Sequence, residues 1–192
     1  MPELFLDKLW PGLVAWTVLY ISDYSLTITC ARLYQSGASD KMAFEGSYEI
    51  TPYYQRDIDS LRRLSPRFFA ALLLSLAWLV LVWWLAMEIW PPMYSFGLGG
   101  LILLQLAIHM RHIRNLVLFR ALVGSDAVRG RIEYPRRLML RMSSHEGLAF
   151  SGLFAVIFLF TRSWFVLGGA FTCLSLAGKH LRLARKVYFA IG

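Results

Sequence analysis

The sequence has 192 residues, of which 57% are hydrophobic and 17% are charged, and its formal net charge is +8. In soluble domains about a quarter of the residues are charged, whereas here the apolar residues come in blocks of about 20, the length of a membrane-spanning helix. This composition excludes an ordinary soluble domain and predicts an integral membrane protein.

The apolar blocks predict an all-α fold, a polytopic transmembrane helical bundle that forms one domain over residues 1–192. The last block is too long for one upright helix and is interrupted by Thr-Arg-Ser at 161–163, so we divide it into two spans. If it crossed only once, the chain would have four spans. The five predicted spans cover residues 10–30, 68–87, 93–110, 147–161 and 164–181.

The placement of positive charge favours five spans. Short cytoplasmic loops are enriched in Lys and Arg. With five spans and an external N-terminus, eighteen of the twenty Lys and Arg residues lie in the inner loops 31–67 and 111–146 and in the tail 179–192. We therefore predict a multi-pass protein of the cell membrane, with its N-terminus outside, its C-terminus in the cytoplasm, and anionic lipids of the inner face as partners. Because these charges form no single contiguous basic face, we expect no nucleic-acid binding.

The first inner loop carries two helix-start signals. Thr51-Pro52 and Ser65-Pro66 each combine a capping residue with proline at the first helical position. Between them we predict a short amphipathic helix on the inner leaflet. Three apolar residues fall on one face of this helix: Tyr54, Ile58 and Leu61.

The second inner loop begins with RHIRNLVLFRALV, which we predict to extend the third helix beyond the membrane. The following stretch, VRGRIEYPRRLMLRMSSHEG, alternates polar and apolar residues and favours a short hairpin or a surface segment. Ser143 or Ser144 is the expected N-cap of the fourth span.

The first span contains an unusual polar stretch, YISDYSLTIT at 20–29. A carboxylate inside a membrane is costly, so Asp23 is a functional-site hypothesis, and Thr27 lies one turn later on the same helical face. Further titratable residues collect at the same boundary, because His109 and His112 leave the third span there and Glu49 lies in the first inner loop. We predict that these five residues form a polar pocket open to the inner face.

Three interpretations of this pocket stay open. In the first, Asp23 is held by hydrogen bonds, and the protein is a structural, interaction or small-ligand-binding membrane component of unknown biochemical function. In the second, a divalent metal makes the protein an enzyme that acts at the inner leaflet. No HExxH-like motif supports the second, so we expect a protein without a cofactor that is not an enzyme. The metal ligands would be His109, His112, Asp23 and Glu49.

In the third interpretation, the protein is a transporter or channel subunit that uses Asp23, with Gln105 and the GLGG segment at 97–100 lining a polar path. Five spans without inverted repeats are few for a stand-alone carrier. A homo-oligomer or another partner would then complete the path. The same GLGG segment also favours close helix packing within one chain.

Two short motifs, DYSLT in the first span and EITP in the loop, resemble a pattern of small bacterial and archaeal multi-pass membrane proteins of unknown function. Their pattern is an Asp-x3-Thr helix followed by Glu-x-Asn-Pro, and the resemblance covers residues 18–60. Here Thr51 replaces the Asn, which keeps a capping side chain and loses the amide. The resemblance implies no activity, but it implies that four residues belong to one structural unit: Asp23, Thr27, Glu49 and Pro52.

Overall fold

The computed structural model of this protein describes residues 8–124 and 129–189. These residues form a helical bundle, so the predicted all-α fold is confirmed. Two short strands, β1 (Met42–Phe44) and β2 (Ile132–Tyr134), lie in the connections. The helices are α1 (Leu9–Leu33), α2 (Pro52–Asp59), α3 (Pro66–Glu88), α4 (Pro92–Gly124), α5 (Arg136–Thr161) and α6 (Trp164–Phe189).

Among the described helices, four are long and apolar enough to cross a membrane. They are α1 together with its continuation to Lys41, α3, α4 and α5. The predicted membrane protein is therefore confirmed. Because α6, which contains the predicted fifth span, is not one of the four, the five-span topology stays a prediction.

The amphipathic helix of the first loop forms as α2, with Pro52 in its first turn. Its apolar face packs on the bundle, where Ile58 is only 1% exposed. Leu61 follows the end of α2 with a left-handed φ of 51°, and its side chain still packs against the same core cluster. The start of α3 is as predicted, because the hydroxyl of Ser65 accepts a hydrogen bond from the backbone N–H of Phe68.

The second loop is more helical than its sequence suggested. α4 continues to Gly124, which is the predicted extension, and α5 already begins at Arg136, well before residue 147. The predicted N-cap at Ser143 or Ser144 is wrong, because both serines lie inside α5 on its buried face. Buried residues recur at helical spacing well before the apolar block begins, and this amphipathic face packs against the bundle.

The predicted hairpin does not form in the described part of the second loop. Instead, β2 pairs in parallel with β1 from the first loop, so that Met42 faces Ile132 and Phe44 faces Tyr134. The backbone N–H of Glu45 donates to the carbonyl oxygen of Tyr134 at 3.0 Å and extends this pairing. The two loops are thus joined into one layer across the end of the bundle.

The helices alternate in direction. Tyr94 of α4 contacts Leu9 near the start of α1, and His112 contacts Thr27 further along both helices, so α1 and α4 are parallel. α5 and α6 are antiparallel, since the hydroxyl of Ser151 donates to the carbonyl oxygen of Ala170. A second such bond joins Ser144 to Ala177.

One end of the bundle, where α1 and α4 end, carries most of the positive charge. The Lys and Arg residues of the regions 31–67, 111–146 and 179–186 lie there, and we call it the basic end.

At the other end, α4 and α6 approach to backbone contact. A Cβ atom added at Gly99 would overlap the backbone of Phe165, and one added at Gly168 would overlap the carbonyl group of Phe96. The hydroxyl of Thr172 also lies 2.9 Å from the carbonyl oxygen of Gly100, and it shares its one hydrogen between this oxygen and the carbonyl oxygen of Gly168 on its own helix. The GLGG segment therefore packs two helices of one chain together, as small residues do in membrane bundles.

Candidate functional site

A cavity of about 550 Å³ opens at the basic end between α1, α4, the first loop and the halves of α5 and α6 that lie at this end. We refer to it as the basic-end cavity. Of the five predicted pocket residues, four line it: Asp23, Thr27, Glu49 and His112.

Thr27 and Asp23 hold the ring of His112. The hydroxyl of Thr27 donates its one hydrogen to the carbonyl oxygen of Asp23 at 2.9 Å. Its oxygen is therefore left to accept from Nε2 of His112, which lies 3.2 Å away. The same Nε2 is 3.2 Å from Oδ1 of Asp23. In this arrangement Nε2 carries a hydrogen.

Glu49 approaches this group from the first loop. Its Oε1 accepts a hydrogen bond from the backbone N–H of Thr51 at 2.7 Å, which fixes the turn before α2. The Thr51 side chain itself makes no capping bond. Burial raises the pKa of Glu49 above its ordinary value, and the nearby charge of Asp23 acts in the same direction. Two carboxyl groups therefore share one side of the cavity.

His109 is placed differently from His112. Its Nε2 forms a hydrogen bond of 2.7 Å with the hydroxyl of Ser22, and its Nδ1 lies 2.7 Å from the carbonyl oxygen of Gln105. A carbonyl oxygen can only accept, so Nδ1 donates. His109 thus joins α4 to α1 deeper in the bundle and does not line the cavity.

Charged residues of α4, α5 and α6 form a basic wall of the cavity. Arg111 donates from Nε to Oε2 of Glu146 at 2.7 Å, and Arg114 donates to Oε1 of the same residue at 2.5 Å. His180 of α6 forms a hydrogen bond of 2.8 Å with the hydroxyl of Ser143. No local pattern predicts these pairs, since the partners are more than 30 residues apart.

Three residues that line the cavity have buried polar atoms without a hydrogen-bond partner in the described part of the chain. These atoms are Oδ1 of Asp23, Nε2 of Gln105 and Nδ1 of His112. Gln105 and His112 are only 6% and 8% exposed. An unpaired buried polar group costs about 1–3 kcal/mol. Oδ1 of Asp23 still has Nε2 of His112 at 3.2 Å, so the atoms of Gln105 and His112 indicate most clearly that something polar fills the cavity.

The predicted divalent metal has no direct structural support. In residues 8–124 and 129–189, no three His, Cys, Asp or Glu side chains are close enough together to hold a metal ion. The metal hypothesis therefore stays a prediction.

Comparison with known proteins identifies no family for this chain. No protein-family model, no curated protein and no solved structure matches this chain. The resemblance to the Asp-x3-Thr and Glu-x-Asn-Pro proteins thus stays a prediction, although the cavity does bring Asp23, Thr27 and Glu49 together.

Proposed function

We propose that this protein binds one small amphiphilic molecule in the basic-end cavity. The observation that carries the proposal is the cavity itself, whose volume of about 550 Å³ lies in the range typical of ligand sites. Its walls combine apolar side chains, such as Ile108 and Leu176, with the three unpartnered polar atoms. An amphiphile satisfies both kinds of wall.

The depth of these atoms supports an elongated ligand that enters from the basic end. Gln105 precedes His112 by two helical turns and so lies about 10 Å deeper along α4, at 1.5 Å per residue. Beyond Gln105, the backbone contact of Gly99 and Gly168 with neighbouring helices closes the bundle. A cavity that ends inside the bundle favours binding over a path across the membrane.

Binding can be tested with octylphosphocholine, a short amphiphile, on protein reconstituted in nanodiscs. We expect saturable binding of one molecule per chain in native mass spectrometry. Ile108→Trp, which fills the cavity, should weaken it at least tenfold, because the ring occupies the volume of the probe. Ile113→Trp is the matched control, since Ile113 lies on α4 outside the cavity and is 47% exposed. Unsaturable binding that is the same in all three proteins would refute the proposal.

We further propose that α6 crosses the membrane as a fifth span, with the N-terminus outside, the C-terminus in the cytoplasm, and the basic end against anionic lipids of the cell membrane. The support is that α6 packs along both α4 and α5, which are themselves long and apolar enough to span. Reporter tags at the two termini should therefore report opposite compartments. If both tags report the same compartment, α6 does not cross the membrane and the chain has four spans.

A further inference from the structure

The basic-end cavity has one side that is suited to a positive charge. Asp23 and Glu49 both line this side, and Oδ1 of Asp23 is buried without a hydrogen-bond partner among the described residues. The deeper lining residue Gln105 is more than nine-tenths buried, and its unpartnered amide nitrogen is a donor, so it suits an acceptor oxygen elsewhere on a ligand. A buried carboxylate oxygen gains most from a hydrogen-bond donor or a cation.

Aromatic rings from three helices line the cavity together with Asp23. Phe68 of α3 packs against Tyr20 and Tyr24, with ring centroids 5.0 and 4.5 Å apart. The hydroxyl of Tyr54 lies 2.7 Å from that of Tyr20 and closes this group from α2. All four rings line the cavity.

A second aromatic group lies beside Glu49. Phe44 of β1 contacts Tyr48 and Tyr134, with centroid distances of 5.7 and 5.6 Å, and all three line the cavity. Burial raises the pKa of Tyr48, and a phenol with an ordinary pKa of about 10 is already neutral at pH 7. Two groups of rings in one cavity with a pair of carboxyl groups resemble the aromatic cages that bind ammonium groups through cation–π attraction.

The basic wall is less suited to an anion. Both arginines that line it, Arg111 and Arg114, are already engaged by the carboxylate of Glu146. An anionic ligand would have to displace this carboxylate before it gained either guanidinium. Among the described residues that line the cavity, the group that competes with a cation for Asp23 is Nε2 of His112, at 3.2 Å.

We propose that the amphiphile carries an ammonium group, which binds between the Asp23 and Glu49 carboxyl groups and the two groups of aromatic rings. This inference rests on the proposed function and names its ligand class. A lipid headgroup and a soluble ammonium compound share this chemistry, and the apolar walls of the cavity favour the form with an acyl or alkyl chain.

Four octyl amphiphiles that differ only in the head group test the inference, in nanodiscs and by native mass spectrometry. We expect octyltrimethylammonium and octylphosphocholine to bind at least tenfold more tightly than octyl phosphate and octyl glucoside. The Asp23→Asn/Glu49→Gln double variant should lose this preference. Glu133→Gln is the matched control, because Glu133 lies in β2 at the same end, outside the cavity, and is exposed.

The outcomes separate the two proposals. Equal affinity for all four head groups, or a preference for the phosphate, would overturn the ammonium inference and leave amphiphile binding in place. Saturable binding of none of them would overturn both. Equal affinity for tetramethylammonium, which has no chain, would support the ammonium site and overturn the amphiphile. Should the double variant fail to fold, the head-group comparison on the natural sequence still decides.

Discussion

Gly168→Ala is expected to lower the free energy of unfolding by about 3 kcal/mol or more, at the upper end of overpacking effects. A Cβ atom at this position would overlap the carbonyl group of Phe96 and approach the backbone nitrogen of Gly100. Backbone atoms of a helix cannot rotate aside as a side chain does, so α4 and α6 would have to separate. The loss can be measured by titrating the protein in mixed micelles with a denaturing detergent.

Gly178→Ala provides the matched control on the same helix. A Cβ atom there would meet no atom within 4 Å, and alanine is favoured over glycine inside a helix by about 1 kcal/mol. We therefore expect Gly178→Ala to leave stability unchanged or to raise it. Equal losses in the two variants would show that the α4–α6 contact does not hold the bundle.

Glu146→Gln is expected to destabilise the protein by about 2 kcal/mol. Removing one partner of a buried ion pair costs about 3–5 kcal/mol, and we discount this value because Glu146 and Arg111 are 24% and 19% exposed. The loss arises because Arg111 and Arg114 both donate to this one carboxylate and would keep their charges without it. Thermal unfolding in detergent micelles at low and high salt measures it.

Glu133 forms a contrasting ion pair. It lies 3.4 Å from Arg131, and both side chains are more than half exposed. Such surface pairs contribute about 0–1 kcal/mol, so Glu133→Gln should change stability by less than Glu146→Gln and its effect should vanish at high salt. If the two variants lose the same amount of stability, the ion pairs of Glu146 with Arg111 and Arg114 hold α4 and α5 together no more strongly than a surface ion pair would.

The helices were largely predictable, with one informative exception. Apolar blocks located α1, α3 and α4, since a helix in lipid must be apolar along most of its length. The start of α5 at Arg136 was missed because Arg136, Arg137 and Arg141 lower the average hydropathy there. The buried face of this segment, with Met139 and Ser143 four residues apart, gives a helical signal that a span-length average removes.

The candidate site was predictable only in part. The motif predicts that Asp23, Thr27 and Glu49 lie together, and the position of His112 at the end of the third span places it at the same level. All four residues line the cavity. His109 was grouped with His112 because the two share a helix and a spacing of three. The structure separates them, since the parallel α1 offers Ser22 to His109 and Thr27 to His112. The spacing of residues along the sequence does not show the axial offset between two packed helices.

The sequence by itself determined that the chain is a membrane-embedded bundle of helices whose ionisable side chains gather at one end. Lipid offers no hydrogen-bond partner to the backbone N–H and C=O groups, so an apolar segment in the membrane forms a helix in which these groups pair with each other. The helices can therefore be located from the apolar segments of the sequence. Only the tertiary structure decided which of those side chains share the cavity. The depth of each side chain depends on the axial offset between its helix and the neighbouring helices. Contacts such as that of Gly168 with Phe96 fix this offset at the far end of the bundle.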